Sequence, residues 1–179
     1  MKESTKAYIA GFLDGDGSIM FQLIERKDYI YGYQIRASIC FYRDSNHKAG
    51  LKWIKDQIGY GYIRDRNDGV SDYTIVGYDR VKQVLRMVKS YVVFKAVHVD
   101  KALRLLIALK ENQKPSPQEF LGLAKLVDSY ATLNYSKKKT NNAKKLEDLL
   151  NRKGLLTPVT TDCAQAHTGH QIGPGESAA

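Results

Sequence analysis

The sequence predicts an α+β domain: a four-stranded antiparallel sheet backed by helices. Three observations carry this. Tyr33 to Tyr42 alternates strictly, with Tyr33, Ile35, Ala37, Ile39 and Phe41 on one face and Gln34, Arg36, Ser38, Cys40 and Tyr42 on the other. Asn67-Asp68-Gly69 is a strong hairpin turn between two short strand-like runs. The strands come as two hairpins, each followed by residues at helical spacing, so the order reads α-β-β-α-β-β-α with further helices after it.

The first helix contains Tyr8, Ile9, Phe12 and Leu13, apolar at i, i+4 spacing. The spacing predicts that it stops in Asp14-Gly15-Asp16-Gly17, since glycines do not comfortably continue a helix. Ile19 to Arg26 is a strand, with Ile19, Phe21 and Leu23 opposite Met20, Gln22 and Ile24. Lys27 to Gly32 connects it to the strand 33–42. His47 to Ile58 is helical through Leu51, Ile54 and Ile58, and Gly59 stops it. Tyr60 to Arg66 and Val70 to Val76 form the second hairpin. Asp79, as N-cap, opens a helix to Val92 with Val81, Val84, Leu85 and Val88 inside. Lys95 to Asn112 is the next. Ser116-Pro117, with Glu119 three residues after the serine, has the form of a capping box opening a helix to about Asn134. A last helix runs from about Asn141 to Arg152. The domain is expected over 1–153, with 154–179, rich in Thr, Ala, Gly, Pro and Gln and without periodicity, as a disordered tail.

Charge narrows the partner. The chain has 179 residues and a formal charge of +9. Before residue 155 all 28 basic residues stand against 17 of the 19 acids, a formal +11. Such a surplus favours a polyanion. Two cysteines, Cys40 and Cys163, form neither a disulfide framework nor a zinc spacing. No apolar run is long enough to span a membrane, and the N-terminus does not read as a signal or transit peptide.

The Asp-Gly-Asp-Gly stretch carries the chemistry. Gly11 and Gly15 lie four apart on one side of the short helix, and a side without side chains admits close approach of another backbone. Two copies packed through that side bring two Asp16 carboxylates together at helix C-termini. There they repel each other and the dipole, and a divalent cation relieves both effects. An Asp-Gly pair alone is merely a turn signal.

Twelve residues together say more. Tyr8-Ile9-Ala10-Gly11-Phe12-Leu13-Asp14-Gly15-Asp16-Gly17-Ser18-Ile19 resembles the motif of the LAGLIDADG homing endonucleases. The likeness extends through the element order and through Gly59 to Arg66, Ser71 to Tyr73 and Val127 to Asn134, over roughly residues 5–140. The motif occurs once, which in that family implies a homodimer. The resemblance implies the LAGLIDADG fold, with Tyr8, Ala10, Gly11, Asp14 and Gly15 at the dimer interface. It implies that Asp16 and the Gly15 carbonyl bind magnesium, with manganese as a substitute. It also implies cleavage of a long pseudo-palindromic double-stranded DNA site, leaving 3′ overhangs, in the service of intron mobility. Its genes are common in organellar introns, so chloroplast or mitochondrion is the expected location.

The sheet's polar face suits the major groove, where Arg pairs with guanine and Gln with adenine. The expected DNA-facing residues are Gln22, Ile24 and Arg26, then Gln34, Arg36, Ser38, Cys40 and Tyr42, then Tyr62, Arg64 and Arg66, then Asp72 and Thr74. Against this stands a plain solvated sheet face. Lys137, Lys138 and Lys139 are expected to contact phosphates, or else to be a solvated charge run. By resemblance Lys95 lies beside the scissile phosphate, where a lysine stabilises developing charge. Arg43 and His47 complete the catalytic candidates and depart from the family pattern, in which a Gln and an Arg or Lys are more usual. Arg43 could bind the scissile phosphate; His47 could order water or simply begin its helix. The rival readings are an intron-RNA-binding maturase and a DNA-binding relic that no longer cuts.

Overall fold

The computed structural model describes residues 1–112, 114–134 and 141–156. Its elements are α1 (Glu3–Asp16), β1 (Gly17–Glu25), β2 (Tyr33–Asp44), a 3-10 turn (Ser45–His47), α2 (Ala49–Ile58), β3 (Tyr62–Asp65), β4 (Val70–Val76), α3 (Tyr78–Val88), α4 (Ala96–Glu111), α5 (Pro117–Ala131) and α6 (Ala143–Arg152). The sheet is antiparallel in the order β1-β2-β4-β3. This is the expected α+β order.

The alternation works as its physics requires. Ile19, Phe21 and Leu23 of β1, the odd residues 33–41 of β2, and Tyr73 and Ile75 of β4 form one apolar face. Ile9 and Leu13 of α1 pack into it. An aromatic stack runs from Phe12 to Phe41 (5.9 Å) and from Phe41 to Tyr73 (5.8 Å), fixing α1 against the sheet. The helices lie behind this face, so among the described residues the opposite face carries no helix.

Several boundaries differ from expectation. First, α1 continues through Asp14, Gly15 and Asp16 and ends only at Gly17. Gly17 is where the chain must turn tightly: a Cβ there would meet the Leu13 backbone at 2.7 and 2.8 Å. Second, the stretch from His47 is interrupted, with His47 closing the 3-10 turn and α2 starting at Ala49. Third, Gly77 rather than Asp79 is the N-cap of α3, and Asp79 instead pairs with Lys110 at 2.7 Å. Fourth, α3 ends at Val88 and α5 at Ala131, each short of its expected end, because turns follow both.

The capping box at Ser116 is present in full: the hydroxyl accepts from Glu119 N–H (3.3 Å), and the Glu119 carboxylate accepts from Ser116 N–H (2.7 Å). Lys137, Lys138 and Lys139, and the tail from residue 157, lie outside the described residues.

Candidate active site and nucleic-acid interface

The end of α1 enters a cleft beneath the outer face of the sheet. Asp16, Lys95, Arg43 and His47 all line it, brought from α1, the α4 N-terminus, β2 and the 3-10 turn. Gln22, Ile24 and Tyr42 line the same cleft.

The two acids of the motif have different jobs. Asp14 faces its own protomer: its carboxylate accepts from the backbone N–H of Val93 (2.6 Å), Phe94 (3.2 Å) and Lys95 (2.9 Å). Its carbonyl accepts from Lys95 Nζ. Its carboxylate thereby ties the α4 entrance to α1 within one protomer. Asp16 points the other way. It is 56% exposed, and Arg43 Nη1 approaches its Oδ2 at 3.3 Å. Burial pushes the Lys95 ammonium below its usual range, and Asp14 and Asp16 pull it partly back.

The placement of Ala10 at the dimer interface is corrected. It is fully enclosed in its own protomer and cannot face a second one. Tyr8, Gly11 and Gly15 are exposed on α1, and a Cβ at either glycine would meet nothing within 4 Å. Tyr8 packs edge-on against Trp53 of α2, with ring centroids 5.3 Å apart. Val93, Phe94 and Val97 stand exposed beside the cleft at 73%, 83% and 57%. Sequence reasoning missed this rim. Its one available signal was the apolar run Tyr91-Val92-Val93-Phe94 before Lys95.

On the sheet's outer face the candidates separate. Gln22 and Arg26 are exposed, with Arg26 past the end of β1 and paired to Asp28 at 3.2 Å. Ile24, Gln34, Arg36 and Tyr42 are half-buried. Tyr62, Arg64 and Arg66 of the β3 hairpin are exposed, and Arg66 pairs with Asp68 at 2.7 Å. Ser38, Cys40, Asp72 and Thr74 are corrected: they are at most 5% exposed, so they are not free to meet bases directly.

Those four lie beneath the larger side chains. The register pairs Tyr42 with Asp72, Asp72 with Arg64, Cys40 with Thr74 and Thr74 with Tyr62. Asp72 Oδ1 accepts from Arg64 Nε (3.1 Å) and Nη2 (2.9 Å), while Oδ2 accepts from Thr74 (2.9 Å). Cys40 Sγ lies 3.2 Å from Thr74 Oγ1. Burial, together with Cys40, pushes the Tyr42 phenol up to about 12, so it stays a neutral hydroxyl. The Arg36 guanidinium reaches the Tyr62 hydroxyl at 3.3 Å. The arrangement presents Arg64, Tyr62 and Arg36 above a bonded polar layer.

Among the described residues no three His, Cys, Asp or Glu side chains gather as a metal site within one protomer. Asp14, Gly15, Asp16, Asp44 and Asp128 bring oxygen atoms to the cleft lining, and Asp16 with the adjacent Gly15 carbonyl stands at the end of α1. The Arg43 guanidinium lies against the Asp16 carboxylate at 3.3 Å, and an exposed carboxylate beside a backbone carbonyl is an oxygen-donor set of the kind magnesium takes.

An α1 helix that ends in an exposed acid, below the polar face of a four-stranded antiparallel sheet, is the arrangement of the LAGLIDADG proteins. The family model described as LAGLIDADG endonuclease matches residues 9–107. The DNA endonuclease I-CvuI of Chlorella vulgaris is 30% identical over 148 residues, 83% of this chain and 91% of that protein. The DNA endonuclease I-CreI of Chlamydomonas reinhardtii is 30% identical over 143 residues, 80% and 86% respectively. The crystal structure of the homing endonuclease I-CvuI with its target and calcium superimposes with a TM-score of 0.80 at 28% identity, over 86% of this chain and 97% of that one. The chain belongs to the LAGLIDADG endonuclease family.

Proposed function

We propose that this protein is a homodimeric, magnesium-dependent, site-specific endonuclease that cuts both strands of a long pseudo-palindromic DNA site. The observation that carries the reading is the cleft itself: an exposed metal-type carboxylate, a partly desolvated lysine and an arginine meet under a sheet face whose readers are held from below. Its relatives add support, being DNA endonucleases, one of them solved on DNA with calcium and again with magnesium, where the DNA was not cleaved.

In this reading two copies dock through the Gly11–Gly15 side of α1, flanked by Tyr8, Trp53 and Phe94. Removing those exposed rings from water stabilises the dimer, and it sets the two Asp16 residues side by side. Asp16 and the Gly15 carbonyl would hold magnesium, which when bound would supply an activated water and neutralise charge on the phosphate. Lys95, fixed through Asp14, donates to the phosphate oxygen on which charge grows. His47, on the 3-10 turn at the cleft wall, orders water there. Arg64, Arg66, Arg36, Gln22, Gln34 and Tyr62 read the major groove, and the surplus of basic residues neutralises the backbone. Lys137, Lys138 and Lys139 belong to that backbone set. The product carries 3′ overhangs and serves intron mobility, and the gene is expected in an organellar intron.

The test is a plasmid library of organellar intron-insertion sequences, incubated with protein and magnesium, with sequencing of cut ends and a calcium-supported binding assay alongside. Paired cuts at one site with 3′ overhangs, lost in Asp16→Asn, are expected. Specific binding without cutting would favour the relic. Preference for folded intron RNA over duplex DNA would favour the maturase.

A further inference from the structure

Arg43 stands at a position where the resemblance implies that a neutral glutamine is more usual, and its surroundings say what an arginine does there. Its Nη1 makes one 3.3 Å contact to Asp16 Oδ2, the carboxylate assigned above to the metal. Its guanidinium lies over the Phe12 ring at 6.0 Å, and Phe12 is itself stacked on Phe41. The side chain therefore rests on a rigid platform beside the acid. Arg64, in contrast, grips Asp72 through two nitrogens at 2.9 and 3.1 Å. A single 3.3 Å contact is longer than a good charge-assisted hydrogen bond. Both partners are about half exposed, at 48% and 56%. The pair is loose, and it uses an oxygen that a metal ion needs.

We propose that Arg43 is a built-in competitor for the metal site, occupying Asp16 in the free protein and moving to a DNA phosphate in the complex. This deepens the endonuclease reading and rests on it. An arginine does not lose its proton at any working pH, so pH cannot release the carboxylate. Another anion can. A phosphate accepts the planar fork with two parallel bonds, which the single contact to Asp16 does not provide. DNA at the cleft therefore draws Arg43 away and removes a positive charge from the position of an incoming dication. Metal and DNA then bind with positive coupling, and the coupling is reciprocal. In the free protein metal binds weakly, which keeps the carboxylate from serving chance substrates.

The probe is Mn2+, its binding read by electron paramagnetic resonance of the free ion. The proteins are the full chain, Arg43→Gln, Asp16→Asn and the double variant, each first checked for an unchanged melting curve. Arg43→Gln is expected to bind Mn2+ about fivefold more tightly than the unaltered protein when DNA is absent, the scale of one half-exposed charge acting on a dication. Asp16→Asn removes the site in both backgrounds. Adding mixed-sequence duplex at low salt should tighten Mn2+ binding more in the unaltered protein than in Arg43→Gln. Equal affinities for the unaltered protein and Arg43→Gln, with Asp16 still required, would overturn the competition and leave the metal reading standing. Mn2+ binding indifferent to Asp16 would instead remove the metal reading, and this inference with it. Equal tightening by DNA in both proteins would overturn the move to phosphate.

Discussion

Among the Arg–Asp pairs of the described residues, Arg64–Asp72 and Arg43–Asp16 lie on neighbouring surfaces and are built in opposite ways. Under the sheet's outer face, Asp72 is 2% exposed and accepts from Arg64 twice and from Thr74 once. At the end of α1, Asp16 is 56% exposed and holds Arg43 by one long contact. The difference follows from where the missing partners are. A side chain that reads bases must keep its direction before DNA arrives, so its support is internal and satisfied. A carboxylate that serves a metal and a phosphate must keep its oxygens available, so its neighbours hold it only lightly. Burial without full bonding would be costly at Asp72 and exposure without bonding is cheap at Asp16.

The sharpest way to test this division is Asp16→Asn. Cleavage is expected to fall by at least about a thousandfold, because a metal-held water and the neutralised phosphate are lost together. The melting temperature should hardly move, since the side chain is exposed and makes one weak pair. A large loss of stability would place Asp16 with the structural acids and break the comparison.

Asp14→Asn comes next. The amide has one acceptor oxygen where the carboxylate offers two, so at least one of the three N–H groups at 93–95 loses its bond. We expect a loss of about 1–3 kcal/mol in stability, faster amide exchange at Val93, Phe94 and Lys95, and a weaker cleavage loss than at Asp16. Measuring both quantities matters: activity lost at full stability would mean that Asp14 acts chemically and not through Lys95.

How much of this the sequence disclosed depends on distance along the chain. The sheet was readable because a strand facing a core shows period two, and Tyr33–Phe41 shows it almost without exception. The Ser116 capping box was readable because its reciprocal bonds span three residues. The exposed acid at the end of α1 was readable because the motif around it is local and long. The acceptor role of Asp14 was not, because it joins residues 79 to 81 apart and nothing near Asp14 announces it. Ala10 was placed on the wrong side of α1 because the helix packs on both the sheet and α3, leaving only a narrow open flank. Ser38, Cys40, Asp72 and Thr74 were placed on the correct sheet face, but alternation cannot say that larger neighbours on the same face would cover them.

Asp72→Ala examines the supported side of the comparison. It strips Arg64 and Thr74 of their common acceptor within a layer that water does not reach freely. A cost of about 2 kcal/mol is expected by chemical denaturation. DNA binding should survive, because Arg64 keeps its charge. Discrimination at the base pair that Arg64 reads should relax by about tenfold, one bidentate contact's lower range. The readout is a panel of single-substitution sites; unchanged discrimination would show that Arg64 needs no support from below.

The smallest effect is at Lys95, where two quantities should move in opposite directions with pH. Burial lowers its folded pKa below the ordinary lysine value of 10.5, more than Asp14 and Asp16 raise it. Between the lowered value and 10.5 the unfolded chain binds more protons than the folded one, so this residue makes stability rise with pH across that window. Cleavage should fall across the same window, because the ammonium proposed to face the phosphate is leaving. Below the window the lysine is charged in both states and contributes no pH slope to either quantity. Lys95→Arg keeps the charge throughout and should flatten the alkaline limb of single-turnover cleavage relative to the unaltered protein, even where its rate is lower. A limb that keeps the same midpoint in Lys95→Arg would assign the titration to another group and leave Lys95 as a fixed charge held between α1 and α4.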